Sequence, residues 1–461
     1  MNIESVIQFS YDNRQSTIKR LIELSEIPSI SADGFSKEQV RRSAQHVATL
    51  MKSLGLENVE ILEQNDAHPY VYADWLHAKN APTLLLYAHH DVQPPGRPEK
   101  WINSAFTPEE RNGRLYGRGV VDDKAGILIH LAAIEAYLKT EKALPVNIKF
   151  IVEGEEEIGS SHLEKFLNQY HKKLQADIII LTDTCNLDTG IPSITYRLRG
   201  TSAVDVEIQT IDHPIHSGVW GGPVADAALV LCKIIAKLTD ENGRITIPGF
   251  YDTVIEPSVE EKHILQNLPF NEVIFRKQAE MLDQLQLSGE KHYSVYERLW
   301  LRPSLSVIAL EARNLKDSTP QIIETARARI SIRTVPDQNP KDIQDKLINF
   351  LKKDPPYNAR VTTIPAFCAP WWITNPEGPA FEAAIKALEK GYEHTVALIG
   401  CGATIPFVGP FSRALGNVPA ILLGLEDPSC NAHSENESLN LDDFWKSIKS
   451  AVYLYESLAT Y

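Results

Sequence analysis

Four stretches of the chain share one pattern, in which a run of apolar, branched residues is followed at once by an acid or a histidine. They are TLLLYAHHD (83–91), VNIKFIVEGEEE (146–157), ADIIILTDT (176–184) and PAILLGLEDPSCNAHSE (419–435). Near-continuous apolar runs are typical of strands covered on both faces, as in a mostly parallel sheet under helices. Because ligands bind beyond the carboxyl ends of strands in such sheets, we expect the acids and histidines to meet in one place.

Helical periodicity fills the intervals between these predicted strands. One apolar stripe comprises Ile127, Leu131, Ile134 and Leu138. Asp122 and Asp123 stand just before this stripe, where helix N-caps are expected. The pattern therefore predicts an α/β protein with a mostly parallel sheet flanked by helices.

The middle of the chain has a different pattern, in which polar and apolar residues alternate as in a sheet with one solvated face. SLSVIALEA and ETARARISIRTV are predicted strands, and residues 224–238 and 340–353 are predicted helices. We expect a smaller α+β lid or dimerisation domain at residues 201–372, inserted between two parts of a catalytic domain, 1–200 and 373–461. An acidic, partly helical stretch at about 240–301 interrupts the smaller domain.

Composition narrows the classes of partner. The formal net charge is −14, and no basic block stands out, which argues against a nucleic-acid surface or an anionic membrane as partner. No segment approaches the roughly 18 apolar residues of a membrane span, and we expect a cytoplasmic protein. The five cysteines are scattered without CxxC spacing, so we expect reduced thiols and no cysteine zinc site.

Each polar residue at a strand end has a structural and a chemical interpretation. His89 is either a hydrogen-bonded residue at a strand end or a metal ligand. Asp122 is either a helix cap or a ligand, Asp183 either a turn residue or a ligand, and His433 either a surface residue or a ligand. The acidic cluster at 153–157 favours the chemical interpretation, because converging carboxylates in a desolvated cleft repel one another unless cations compensate them. Nitrogen and oxygen ligands without thiolate fit zinc, with manganese or cobalt as alternatives.

Seven motifs, in their order along the chain, carry a family resemblance. They are AHHDVQP, LYGRGVVDDKAG, EGEEEIGS, LTDT with the later ITYRLRG, HSGVWGGP, SIRTVP and AHSENESL. Together they resemble the co-catalytic di-zinc peptidase family, which includes carnosinase-type dipeptidases, glutamate carboxypeptidases and aminoacylases. The resemblance spans essentially the whole chain and is strongest to the cytosolic dipeptidase branch.

The resemblance implies two divalent metal ions per subunit. It assigns His89 and Asp183 to one metal and Glu157 and His433 to the other. Asp122 would bridge the two metals.

The same resemblance implies roles for neighbouring acids. Asp91 would accept the second N–H of the His89 ring and fix its tautomer. Glu156 would be the general base that activates a bridging water. Glu153 and Glu155 match no ligand position, so we expect them to frame the site or to be solvated.

Three residues beyond the metal ligands complete the implied site. His216 resembles the histidine that reaches a partner subunit's active site and donates to the carbonyl oxygen; otherwise it is a local loop residue. Arg333 resembles the arginine that clamps a substrate α-carboxylate; otherwise it forms a surface ion pair. Thr404 keeps the end of a substrate-binding loop in which Gly400 and Cys401 replace the family's charged pair, which leaves terminal-residue specificity open.

These residues together predict metal-dependent hydrolysis of dipeptides or short peptides by a homodimer that contacts its partner through the smaller domain. An N-acyl-amino-acid deacylase would use the same metal site on an amide that has no free amine. A non-catalytic binding homologue is the third possibility, although every implied ligand and the implied base are present. A requirement for a free N-terminal amine would separate the first two functions.

Overall fold

The structure is a computed structural model that describes residues 1–64, 66–405 and 407–460. Its strands are β1 (Glu57–Leu62), β2 (Tyr70–Trp75), β3 (Thr83–His89), β4 (Glu109–Arg111), β5 (Arg114–Tyr116), β6 (Asn147–Glu153), β7 (Ile178–Cys185), β8 (Ser193–Leu198), β9 (Gly200–Gln209), β10 (Ile215–His216), β11 (Ser304–Glu311), β12 (Gln321–Ile322), β13 (Thr325–Thr334), β14 (Arg360–Ala369), β15 (Trp372–Ile373), β16 (Ala397–Cys401), β17 (Ala420–Glu426) and β18 (Ser438–Asn440).

The helices alternate with these strands over much of the chain. They are α1 (Ile3–Asp12), α2 (Arg14–Ser25), α3 (Lys37–Ser53), α4 (Lys124–Thr140), α5 (Leu163–Leu174), α6 (Ser217–Trp220), α7 (Ala227–Ala236), α8 (Val259–Asn267), α9 (Glu272–Gln278), α10 (Val295–Trp300), α11 (Pro340–Lys352), α12 (Pro379–Tyr392), α13 (Val408–Ala414) and α14 (Leu441–Leu458). Among the described residues, no helix is long and apolar enough to cross a membrane.

The larger sheet has the strand order β1-β2-β6-β3-β7-β17-β8-β15, and β16 pairs with β8. Its central strands β6, β3, β7 and β17 run parallel, whereas β1, β2, β8 and β15 form antiparallel pairs toward the edges. The predicted α/β class is confirmed, with a mixed sheet that is parallel at its centre.

Both faces of the central strands are covered, as their apolar runs predict. Along β3, Leu84 and Leu86 pack into the core shared with α4, α12 and α14. Leu85 and Tyr87, which point to the opposite face, pack with residues of α5 and α13. Continuous burial on both faces therefore requires the continuous apolar sequence of this strand.

The second sheet is antiparallel, has the order β11-β13-β9-β14, and is formed entirely by residues 200–369. Helices α7 and α11 cover one face and share a core with β9 and β13. The other face carries exposed pairs such as Arg329 with Asp205, which explains the alternating pattern. The domain limits 1–200, 201–372 and 373–461 stay a prediction.

The start of α4 differs from the prediction that two aspartates cap it. Asp123 occupies the N-cap position, but its side chain makes no cap hydrogen bond. Instead its carboxylate accepts a hydrogen bond from the backbone N–H of His89 at 3.2 Å. Asp122 faces away from the helix toward His89 and His433. The side chains of both acids therefore contact residues at or beyond the strand ends instead of capping the helix.

Candidate metal centre

The ends of two parallel strands and the start of a helix bring the first group of candidate ligands together. His89 ends β3, Asp183 lies near the end of β7, and Asp122 precedes α4. His89 Nε2 lies 3.0 Å from Asp122 Oδ1 and 3.6 Å from Asp183 Oδ1. One ligand atom from each residue lies within 4.8 Å of the others, which is a spacing suited to one metal ion.

A second group shares Asp122 with the first. His433 Nε2 lies 2.9 Å from Asp122 Oδ2 and 3.1 Å from Glu157 Oε2. The ligand atoms of these three residues also lie within 4.8 Å of one another. One oxygen of Asp122 therefore faces each of the two groups, and its bridging role stays a prediction.

A close backbone approach holds the helix against the strand that carries Asp183. Gly126 lies in the first turn of α4, and a Cβ atom at this position would stand only 2.6 Å from the carbonyl oxygen of Thr182. Any side chain would therefore push the helix away from β7. The glycine of the DDKAG motif keeps Asp122 and Asp183 on the same side of the cleft.

Burial and mutual repulsion shift the titration of these groups. Burial, followed by the charge of Asp122, raises the pKa of Glu157 to about 7. Burial alone would lower the pKa of His89, but Asp183 and Asp122 raise it well above its ordinary value. Bound protons therefore offset the negative charge of the candidate ligands. Divalent cations would supply the same compensation, and the nitrogen and oxygen donors fit them.

Asp91 supports the site through two kinds of contact. Its backbone carbonyl oxygen lies 3.1 Å from His89 Nδ1, nearer than its carboxylate Oδ1 at 3.5 Å. The carboxylate accepts hydrogen bonds from the backbone N–H groups of Glu156 and Glu157, at 3.2 and 3.1 Å. Asp91 thus orients the imidazole largely through its main chain, while its side chain fixes the loop that carries the two glutamates.

Two residues that support the site are not predicted from the sequence, although both lie inside the quoted motifs. Gln93 donates from its side-chain amide to the Glu157 carboxylate at 2.9 Å. Glu437 is buried, pairs with Arg118 at 2.6 Å, and accepts a hydrogen bond from the Asp122 backbone N–H at 3.4 Å. Their position inside AHHDVQP and AHSENESL was the clue that the sequence offered for both residues. Only the structure shows which candidate ligand each of them contacts.

The acidic cluster divides into two pairs. Glu153 and Glu155 are fully buried, so solvated positions are excluded for them. Tyr70 and Tyr87 donate hydrogen bonds to Glu153 at 2.9 and 2.8 Å, and His162 Nδ1 lies 2.9 Å from Glu155. These two glutamates therefore frame the loop, as the first of the two expectations states.

Glu156 lies beside the ligands without being one of either group. Its backbone is fixed by Asp91, and none of the hydrogen bonds among the described residues engages its carboxylate. Burial raises the pKa of Glu156 well above its usual range, and Asp183 adds to this shift although His89 opposes it. A carboxylate that is held in place and unpaired can accept a proton and return it.

The cleft is open on one side. The side chain of His433 is 59% exposed, whereas those of Asp122 and Glu157 are 8% and 3% exposed. His433 is therefore the one of the five candidate ligands that is open to solvent, and the side chains of the others are buried.

Arg333 and Thr404 contact each other. Arg333 is the next-to-last residue of β13 and donates a hydrogen bond to Thr404 Oγ1 at 3.1 Å. The Thr404 hydroxyl donates to the Arg199 carbonyl oxygen at 2.6 Å. Arg333 is half-buried, and it has no ion pair within the part of the chain that the structure describes. The alternative of a surface ion pair is thus excluded for the described residues.

His216 lies apart from the metal ligands. It is exposed on the short strand β10, pairs with Gln321 on β12, and accepts a hydrogen bond from the Gly218 backbone N–H at 3.0 Å. No hydrogen bond or ion pair among the described residues joins it to the candidate ligands.

The amino-acid sequence matches the model of a known family, described as peptidase family M20/M25/M40, over residues 85–457. The cysteinylglycine-S-conjugate dipeptidase of Corynebacterium striatum is 30% identical over 431 residues, which cover 93% of this chain and 92% of that protein. The human Beta-Ala-His dipeptidase is 28% identical, with coverage of 95% and 89%.

Solved structures of peptidases are also similar to this chain. Human carnosine dipeptidase 1 superposes with a TM-score of 0.90 at 26% identity, covering 100% of this chain and 99% of that one. A metallo-carboxypeptidase from Sulfolobus solfataricus superposes with a TM-score of 0.84 at 30% identity, covering 96% and 99%. Together with the converging ligands at the strand ends, these matches show that the chain belongs to the M20/M25/M40 family of peptidases.

Proposed function

We propose that this protein is a metal-dependent dipeptidase that hydrolyses dipeptides or short peptides with two divalent cations per subunit. The observation that carries the proposal is Asp122, whose two oxygens face separate ligand groups with Glu156 beside them. The names of the relatives from Corynebacterium striatum and human support a dipeptide substrate. The cytoplasmic location inferred from the sequence stays a prediction.

Zinc is the cation that best suits the ligands. Imidazole nitrogens and carboxylate oxygens without thiolate are common zinc donors, and manganese or cobalt would accept the same set. His89 and Asp183 would hold one ion, and Glu157 and His433 the other. When bound, divalent cations supply Lewis-acid chemistry, which acidifies water and polarises the scissile carbonyl.

Glu156 performs the proton transfer in this proposal. Its carboxylate takes the proton of the attacking water and returns it to the leaving amine, a role that typically contributes about 10²–10⁴-fold to the rate. The Asp91 carboxylate keeps Glu156 in position by accepting a hydrogen bond from the Glu156 backbone N–H. Asp91 is thus a positioning residue for Glu156 as well as for the His89 ring.

In this proposal, Arg333 and Thr404 bind the carboxyl end of the substrate. The guanidinium is half-buried and is held by the Thr404 hydroxyl, and none of the described carboxylates occupies it. Burial lowers the pKa of Arg333 from its ordinary value, yet a guanidinium remains charged at neutral pH. A substrate α-carboxylate would restore the missing counter-charge through paired hydrogen bonds.

His216 acts in the active site of a partner subunit in this proposal, which requires a homodimer formed through residues 201–372. Support comes from its exposed position away from the ligands of its own chain. Apolar side chains on the same part of the molecule are exposed, among them Trp220, Ile308 and Ile364 at 53%, 53% and 61%. These side chains are the ones that a subunit interface in this domain would cover.

Hydrolysis of a matched panel tests the proposed reaction. Purified protein is assayed with unblocked dipeptides and with N-acetyl amino acids, in the presence of zinc, manganese or a chelator. We expect metal-dependent cleavage of the dipeptides alone. Cleavage confined to the N-acetyl amino acids would instead identify a deacylase, and cleavage of neither with metal bound would contradict the proposed substrate class.

Glu156→Gln tests the general base. The variant keeps the shape of the side chain but cannot accept the proton, so we expect kcat to fall by about 10²–10⁴-fold while metal content stays unchanged. The matched control is Glu164→Gln on the exposed face of α5, which should retain full activity. Activity of Glu156→Gln near the wild-type level would show that another group is the base.

Mixed dimers test the role of His216 in the partner's site. His216→Ala and Glu156→Gln are each expected to be nearly inactive alone. When the two variants are co-expressed, each mixed dimer keeps one complete site if His216 acts across the interface, and random pairing then restores about a quarter of wild-type activity. No restoration in purified mixed dimers, or full activity of a monomeric enzyme, would contradict the trans role.

A further inference from the structure

A cavity of about 650 Å³ adjoins the candidate metal centre. One wall belongs to the ends of the central strands and includes Cys185, Cys401 and Glu426. The opposite wall is apolar and comes from the stretch between β10 and β11, with Phe275 and Trp300 as its large side chains. The acidic insertion at 240–301 thus contributes an aromatic surface that faces the ends of the catalytic strands.

Glu426 directs its carboxylate toward this cavity from the end of β17. It is paired in register with Cys185 on β7, and the Cys185 thiol donates to its Oε2 at 3.6 Å. Because Cys185 follows Asp183 by two residues on the same strand, both side chains point to one face of the sheet. Glu426 therefore stands beside the metal ligands, on the side of the cleft that the cavity occupies.

Among the described residues, the Glu426 carboxylate has no cationic or amide partner, whereas the acids near it have one or the other. Asp427 pairs with Arg114 at 2.8 Å, and Asp188 accepts a hydrogen bond from Gln278 at 3.1 Å. For Glu426, the weak thiol contact is the one side-chain hydrogen bond found among the described residues. Burial, followed by the charges of Asp122 and Asp183, raises its pKa well above the usual range.

An unpaired carboxylate in a largely apolar cavity is costly unless a ligand supplies positive charge. The ligand that fits carries a cationic group next to an apolar one, so that the cation meets Glu426 and the apolar group meets the aromatic wall. The N-terminal residue of a dipeptide has this form, because its α-ammonium group is attached directly to the carbon that bears the side chain. An N-acylated residue has the apolar group but no charge.

We propose that Glu426 binds the free α-ammonium group of the substrate's N-terminal residue, and that the adjoining cavity accepts an apolar side chain on that residue. The inference rests on the proposed dipeptidase function and deepens it, since it identifies the group that selects free peptides over N-acyl compounds. Glu426 is then a specificity-determining residue of the N-terminal side, as Arg333 is on the carboxyl side.

The test compares wild type and Glu426→Gln on Leu-Gly, N-acetyl-Leu-Gly and N-acetyl-Lys-Gly. We expect the variant to raise KM for Leu-Gly by about 10- to 100-fold, because a charge-assisted hydrogen bond is lost, with little change in kcat. The acetylated peptides should be affected less than threefold. Inhibition constants of leucine amide and N-acetyl-leucine amide give the same comparison where an acetylated peptide is not cleaved.

Two further variants separate binding from folding. Glu426→Asp keeps the charge on a shorter side chain and should recover part of the lost affinity for Leu-Gly. Glu393→Gln, whose side chain is 79% exposed and paired with Lys449 on the far surface, is the matched control and should behave as wild type. Metal content and Tm of all variants are measured, and values equal to wild type exclude a general structural defect.

The outcomes distinguish this inference from the proposed function. No cleavage of any dipeptide by the wild-type enzyme would refute the function itself. If the wild type cleaves Leu-Gly, the role of Glu426 is refuted by an unchanged KM in Glu426→Gln, or by equal losses for free and acetylated peptides. A loss confined to N-acetyl-Lys-Gly would show that Glu426 binds a side-chain ammonium instead.

Phe275→Ala tests the apolar wall separately. This side chain packs against Phe270 in the cavity wall, with ring centroids 5.9 Å apart. Its removal should raise KM for Leu-Gly about tenfold relative to Gly-Gly, which places no side chain in the cavity. Equal changes for the two peptides would contradict the assignment of the cavity to the N-terminal side chain.

Discussion

The repulsion among buried carboxylates at the ends of the central strands is the constraint on which the site depends. Ligand atoms of two imidazoles and three carboxylates approach one another to between 2.9 and 3.6 Å. The surrounding fold holds them at these distances through Asp91, Gln93 and Glu437, each of which is fixed to a ligand or to the loop that carries one. Carboxylates held this close to one another, with ligand atoms within 4.8 Å in each group, imply cations that balance their charge.

The strands and the convergence of their ends follow from the sequence for simple physical reasons. A strand that is covered on both faces must be apolar at every position, as β3 is, and parallel strands deliver the residues that follow them to one edge. Two helices of residues 201–372, α7 and α11, are predicted nearly to their ends, because each buries one apolar face. Local periodicity is enough to predict these strands and helices, without knowledge of contacts between distant parts of the chain.

The sequence does not reveal contacts between residues that are far apart along the chain. Asp122 and Asp123 stand where helix caps are expected, but tertiary contacts with His89 and His433 take their side chains instead. The orientation of His89 by the Asp91 main chain is invisible in a side-chain pattern. Glu426 looks like any acid at the end of a strand. That none of the described residues gives it a cationic partner emerges only when Arg114 is found to pair with the neighbouring Asp427.

The location of metal by anomalous diffraction from crystals of the zinc-loaded protein tests the account most directly. We predict two peaks in each subunit, one between His89 and Asp183 and one between Glu157 and His433, with Asp122 contacting both. Two zinc ions per subunit should also be found by elemental analysis, and Asp122→Asn should lower this number. A single peak, or two peaks of which one has no contact with Asp122, would contradict the claim that this carboxylate joins two metal sites.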